Sequence, residues 1–348
     1  MGEAHPYIGR LLLGKYQLVE HAGVGGMAEV FRAFTLGASG FRRPVAVKRI
    51  HDHLSQQDEF VRMFVEEARV VSELQHPNIV QIHDFDKDEA GRYFIVMEWV
   101  QGMSLLEWAL LHVEHGFHTP WFLVSAVGIE VLKALGAAHG RRDGEGEPQP
   151  IYHRDVSPQN ILIHESGIIK LADFGLARAM DRARTTTPDV IKGKLSYMAP
   201  ELTRFAEPSP QSDIFGVGIV LWEVLTGRRL FCGEHPMQIV EAVRRTAVPS
   251  LRAARSDIPI ALHDIVHRAL SQDPNGRFAS CREMMRALAN ILRTTPMRTD
   301  ADVIAASLSS ASAGRFTAAT GTPAITDPRF VGPGAEPSAQ FELLRRKS

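Results

Sequence analysis

The chain has 348 residues and sets 39 Lys and Arg against 40 Asp and Glu, a formal net charge of -1. That balance excludes the cationic surplus that a dedicated binder of nucleic-acid backbones carries. With 45% hydrophobic and 23% charged residues the composition is that of an ordinary globular protein of about two units at ~150 residues each, not of a chain disordered throughout. No uninterrupted apolar run approaches the ~18 residues that cross a bilayer, and the opening MGEAHPYIGR lacks the layout of a signal peptide. A cytoplasmic protein with no membrane span is expected. Cys232 and Cys281 lie outside any C-x-x-C pattern, so neither a disulfide framework nor a cysteine zinc site is supported.

From Tyr16 to Val47, β-prone pieces (YQLVEH, AEVFRAF, RPVAVKRI) alternate with Gly-rich turns, which predicts an antiparallel sheet. Between the first two runs lies Ala22-Gly23-Val24-Gly25-Gly26-Met27-Ala28-Glu29-Val30. Glycines there let a hairpin lie close over phosphates with its N–H groups, whereas a dinucleotide loop would open a helix. Taken alone, the loop equally fits a hairpin with no ligand. In Val45-Ala46-Val47-Lys48 the alternation of a strand puts Ala46 and Lys48 on one face. Phe60, Phe64, Val71 and Leu74 follow helical spacing, and Glu67 falls on their apolar stripe. A carboxylate on a buried stripe needs a counter-charge, and Lys48 is the candidate.

Beyond about Trp121 the periodicity turns helical. His112, His115 and His118 share a three-residue spacing, but no carboxylate or Cys completes a zinc pattern, so a solvated helix face and turn is the reading. RRDGEGEPQP, from Arg141 to Pro150, marks an exposed loop. Then follows His153-Arg154-Asp155-Val156-Ser157-Pro158-Gln159-Asn160, with Asp173-Phe174-Gly175 thirteen residues after Asn160. Phosphoryl transfer to a hydroxyl needs a carboxylate to orient the attacking oxygen and take its proton, and oxygen donors to hold a divalent ion. Asp155 suits the first role, Asn160 and Asp173 the second. Ala199-Pro200-Glu201 closes the segment. More than half of Pro296 to Ser348 is Ala, Ser, Thr, Gly or Pro, which predicts a flexible tail in which only Ala301 to Leu308 suits a helix.

The ordered set GVGGMAEV, VAVK, HRDVSPQN, DFG and APE resembles the protein-kinase family, in particular bacterial kinases of the eukaryotic-like (Hanks) Ser/Thr type. The resemblance implies an α+β, bilobal fold: a lead over 1–15, a β-rich N-lobe over about 16–100, a helical C-lobe over about 101–292, and a low-complexity tail over 293–348. It implies that the loop from Ala22 to Val30 covers the phosphates of ATP. Lys48, paired with Glu67, would contact them, and Asn160 and Asp173 would bind Mg2+, or Mn2+ in its place. Met97 stands as gatekeeper, Glu98 and Val100 offer hinge backbone groups to adenine, and Val30, Ala46 and Leu162 sandwich it. Val71, Ile82, His153 and Phe174 match the stack linking the lobes; Asp213 matches the anchor of the catalytic loop, and Arg277 the partner of Glu201.

Two positions depart from the family pattern. Lys is usual two residues after the catalytic Asp and Thr after the Gly that precedes APE, but here those positions hold Ser157 and Lys194. A swap is expected, Lys194 supplying the cation from the opposite loop and Ser157 the hydroxyl. Arg154 beside Asp155 points to a loop ordered by phosphate, and Thr185, Thr186 and Thr187 offer the hydroxyls. Protein substrates are the expected partners, with self-association if autophosphorylation runs in trans. The rival function is a nucleotide-binding pseudokinase or signalling scaffold, against which Lys48, Asp155, Asn160 and Asp173 all stand.

Overall fold

The computed structural model describes residues 5–174, 193–316 and 322–323, without the side chain of Glu67. The N-terminal part is a six-stranded antiparallel sheet in the order β1-β2-β3-β4-β6-β5. Its strands are β1 (Leu11–Leu12), β2 (Tyr16–Val24), β3 (Ala28–Leu36), β4 (Arg42–Ile50), β5 (Ile82–Lys87) and β6 (Tyr93–Glu98). Strand alternation gives the sheet two apolar faces. Phe31, Val45, Val47, Phe94 and Val96 form one, covered by Tyr7 and Ile8 of the lead. The other packs Ile50 and Ile95 against Phe60, Phe64 and Ala68 of helix α1 (Asp58–Ser72).

A second, three-stranded sheet joins β7 (Gly102–Ser104), β9 (Ile161–His164) and β10 (Ile169–Leu171) in the order β10-β9-β7. Around it stand α2 (Leu105–Glu114), α3 (Trp121–His139), α4 (Pro210–Thr226), α5 (Pro236–Arg245), α6 (Leu251–Ala254), α7 (Ile260–Ala269) and α8 (Cys281–Arg293). α2 opens on a capping box: Ser104 Oγ accepts from Glu107 N, and the Glu107 carboxylate accepts from Ser104 N. α4 starts with Pro at its first turn after a Ser209 cap and stops at Gly227, whose φ of 66° suits glycine. All but two of its residues are buried, as befits a helix that is apolar all round. α3 is the one described helix long and apolar enough to cross a bilayer, but two thirds of that stretch is buried against the rest of the chain, so it is the core helix of this lobe.

Part of the segment read as tail is folded. α9 (Ala301–Ser312), capped by Asp300, buries Ile304, Leu308 and Ala311 in the main apolar cluster that also holds Trp108 and Ala109 of α2. Its apolar residues follow helical spacing, a pattern masked in the composition by the surrounding Ala and Ser. Gly167 at the β9–β10 turn (φ 82°) admits the start of α9, since a Cβ there would lie 1.9 Å from the Ala301 carbonyl oxygen. Phe316 then stacks on Phe117, ring centroids 4.7 Å apart, and β11 (Thr322–Pro323) pairs antiparallel with β8 (Phe117–His118). The solvated face expected for the histidines is corrected here as well. His112 is buried, with Nδ1 2.8 Å from the Trp108 carbonyl oxygen and its ring against Phe316, because α2 turns that side toward α9.

Candidate active site

The β2–β3 hairpin overhangs a cleft of about 360 Å³, whose floor is the segment following α3. The hairpin closes tightly, Gly25 N donating to Ala28 O at 2.8 Å. Gly23, Val24, Gly25, Gly26, Met27, Ala28 and Val30 border the cleft from above, and Lys48, Asp155, Ser157, Asn160, Asp173 and Lys194 border it from behind and below. Gln159, Gly193 and Tyr197 also line it. Two hairpin residues do not. The pairing skips between His21 and Gly23, so Ala22 sits in a bulge. Glu29 alternates with Ala28 and Val30, and its carboxylate turns to the outer face of the sheet, 3.5 Å from His5 Nε2 and from His51 Nδ1.

Lys48 is buried, and its ammonium donates to Asp173 Oδ1 at 2.7 Å. Burial alone would raise the Asp173 carboxyl, but the Lys48 charge and hydrogen bond hold it below the ordinary carboxylate value. The helix of Glu67 flanks this site; the side-chain pairing expected for Glu67 lies outside the described structure. Asn160 is fixed at both ends, its side-chain nitrogen donating to Asp155 O at 2.9 Å and its backbone carbonyl accepting from Ala172 N at 2.8 Å. That commits the nitrogen and leaves the side-chain oxygen as the group for a cation. Asn160 and Asp173 thus offer hard oxygen donors, which fit a divalent ion of the Mg2+ kind.

Asp213, buried near the start of α4, holds the loop that carries Asp155. Its carboxylate accepts from His153 N (2.9 Å), Arg154 N (2.8 Å) and His139 Nε2 (2.8 Å). Burial would push this carboxyl up, and those three donors keep it down. Arg154 and Asp173 both adopt left-handed backbone, with φ of 64° and 58°. His153 donates from Nε2 to Ala172 O at 2.9 Å and lies 4.6 Å from the Phe174 ring, while Val71, Ile82 and Phe174 share one apolar cluster. Burial pushes the His153 imidazole below its ordinary value, so it stands neutral.

Of the departures, Lys194 Nζ reaches 3.4 Å from Asp155 Oδ2, and Ser157 is buried beneath it in the same cleft. Glu201 and Arg277 form a two-pronged ion pair at 2.7 and 2.8 Å. At the adenine end, Ala46 pairs across the sheet with Met97. The Glu98 carboxylate accepts from Lys170 Nζ at 2.8 Å, away from the cleft, which leaves only its backbone for a ligand. Val100 and Leu162 are half-buried. Thr185, Thr186 and Thr187 lie outside the described residues.

Sequence reasoning missed a buried triad under Lys194. Tyr197 donates to Glu223 Oε2 at 2.7 Å, and Arg229 reaches both. Burial, then Glu223, pushes the Tyr197 phenol well above its ordinary value. A lone Glu in the apolar run IVLWEVL carries the same signal that singles out Glu67 and could have found it.

A protein kinase domain model matches residues 16–288. Similar curated proteins include the tyrosine-protein kinase MasK of Myxococcus xanthus, 37% identical over 80% of this chain and 43% of its own length. Others are the serine/threonine-protein kinases PrkC of Bacillus subtilis (34%; 80% and 40%) and PknL of Mycobacterium tuberculosis (34%; 86% and 72%). The chain spans less than half the length of the first of these relatives. The crystal structure of the Mycobacterium tuberculosis PknI kinase domain superposes with a TM-score of 0.60 at 28% identity, covering 83% of this chain and 99% of that one. With the bilobal fold and the ordered motifs around one cleft, these matches identify the chain as a member of the protein kinase family, of the bacterial Hanks type.

Proposed function

We propose that this chain transfers the γ-phosphate of ATP to Ser and Thr hydroxyls of proteins, through a catalytic unit over 16–292. One observation carries the reading: Lys48, Asp155, Asn160 and Asp173 converge on a single cleft roofed by the Gly-rich hairpin. In this reading the hairpin N–H groups and Lys48 bind the phosphates, and Asp155 orients the acceptor hydroxyl and takes its proton. Asn160 and Asp173 hold Mg2+, or Mn2+, which when bound offsets the negative charge of the phosphates. Met97, Glu98, Val100, Ala46, Val30 and Leu162 receive the base.

Lys194 takes the place of the missing cation after Asp155. Its ammonium borders the same cleft and approaches the Asp155 carboxylate. Developing charge on the transferred group makes a cation there valuable whichever loop supplies it. Arg154 would receive a phosphate on Thr186 or Thr187, made by autophosphorylation in a transient pair of chains. A cytoplasmic site of action fits this reading.

The test is transfer of labelled phosphate from Mg-ATP to the protein and to a generic protein substrate. Asp155→Asn should abolish it; incorporation that persists in the variant refutes the catalytic assignment, and none in the unaltered protein favours the pseudokinase. A second reading, tyrosine as acceptor, is favoured by the name of the 37%-identical relative and by Ser157 in place of Lys. Phosphoamino-acid analysis of the same product separates the two.

A further inference from the structure

Outside the cleft, the outer face of the hairpin gathers His5, His21 and Glu29, whose ligand atoms all lie within 4.8 Å of one another. Three elements deliver them. His21 comes from β2, opposite Phe31, and Glu29 from β3. His5 comes from the lead, which is pinned two residues on: Tyr7 donates to Asp52 at 2.8 Å and accepts from Arg49 at 2.9 Å. The rings of His5 and His21 stack 4.6 Å apart at 6°, and each meets Phe31 edge-on at 5.2 Å.

Two polar atoms of this cluster lack hydrogen-bond partners. His51 Nε2 lies 2.8 Å from Gly25 O. A carbonyl only accepts, so Nε2 carries the hydrogen of that contact, and His51 Nδ1 faces Glu29 Oε1 at 3.5 Å. His21 Nε2 and Glu29 Oε2 are buried without a hydrogen bond, Glu29 Oε2 having only the 3.5 Å contact with His5 Nε2, a costly arrangement that a bound metal would relieve. Imidazole nitrogens with a single carboxylate make the donor set of a borderline-soft ion, unlike the all-oxygen pair Asn160 and Asp173.

We propose that His5, His21 and Glu29 bind a divalent transition metal of the Zn2+ class on the back of the Gly-rich hairpin, with water completing the coordination. Tetrahedral coordination brings ligand atoms to about 3.3 Å from one another, a closure within reach of side-chain rotation. His5 then gives up the long 3.5 Å contact from Tyr7 N to its Nδ1, so that Nδ1 can carry the proton.

The test is titration of the full chain with Zn2+ and with Co2+, without nucleotide. Binding of one ion per chain is expected, with the intense d–d absorption of four-coordinate Co2+. His21→Ala and Glu29→Gln should each weaken Zn2+ by ~10-fold or more, and His115→Ala should leave it unchanged. Zn2+ should also shield His5 and His21 of the unaltered protein from diethylpyrocarbonate, a readout that needs no variant to fold. No binding, an affinity in both ligand variants unchanged from the unaltered protein, or a site lost only with Asp173→Asn would overturn the proposal.

Discussion

Lys194 Nζ stands 3.4 Å from Asp155 Oδ2, a lysine from the segment before APE reaching the carboxylate of the catalytic loop. The contact joins two stretches of chain around the position where Ser157 replaces the usual cation. Lys194→Met should therefore lower kcat ~10-fold or more, the worth of one lost electrostatic contact in the transition state. Lys194→Thr combined with Ser157→Lys should recover most of it. Steady-state kinetics decide, and an unaltered kcat in the single variant removes Lys194 from the mechanism.

Asp213 is the acceptor for two backbone N–H groups of the loop. Asp213→Asn keeps the shape but replaces a charged acceptor by a neutral one, at a cost of about 1–3 kcal/mol of stability. Denaturant unfolding gives the first number. The rate should fall while nucleotide binding holds, because Asp213 acts on Asp155 through the loop; equal losses in both would mean general unfolding instead.

The Arg277 side chain is fully buried and that of Glu201 is 16% exposed. Glu201→Ala strands the guanidinium, and about 3–5 kcal/mol of stability should go with it. Replacing both, Arg277→Met with Glu201→Leu, removes the stranded charge and should cost less than the single change. The order of the unfolding midpoints is the check.

Burial, then the nearby Arg255 charge, pushes the His118 imidazole down to about 4. A group whose folded pKa is depressed takes up protons more readily when unfolded. Stability is thus complete above the unfolded pKa of ~6.5 and falls as pH drops toward 4, by as much as ~3 kcal/mol for this group. The other histidines with lowered values, His76, His83, His153 and His267, act in the same direction. Unfolding free energies between pH 7 and pH 4 should show a shallower slope for His118→Gln; an identical slope means that His118 does not contribute.

Gly167→Ala would drive a Cβ into the Ala301 carbonyl at a backbone angle that side chains avoid. The start of α9 must move, so limited proteolysis should cut between 293 and 301 faster than in the unaltered protein. The cleft lies elsewhere, and kcat should hold.

The polar residues of the cleft were legible because each needs a specific chemistry at short spacing: Asp155, Asn160 and Asp173 fall within nineteen residues. Lys48 could be placed from strand alternation alone. The same rule, applied through the hairpin, would have turned Glu29 outward; including it with its neighbours ignored the period of two. Ala22 escaped because a bulge cannot be read from residue types. The Tyr197–Glu223–Arg229 triad and the packing of α9 depend on partners distant in sequence. Their one-dimensional traces, a single Glu in an apolar run and a few apolar residues among Ala and Ser, are faint.

Arg154, next to Asp155, and Asp173 both adopt left-handed backbone, a conformation that costs each of them on the order of 1–3 kcal/mol. Such torsion persists only where neighbours leave no alternative, and here Asp213 grips one residue and Lys48 the other. The catalytic loops are in that sense sprung: part of the cohesion of the C-lobe core goes into keeping them bent. Substitutions that relax either bend should make the chain harder to unfold and slower at its chemistry, so that stability and turnover are traded at these two residues.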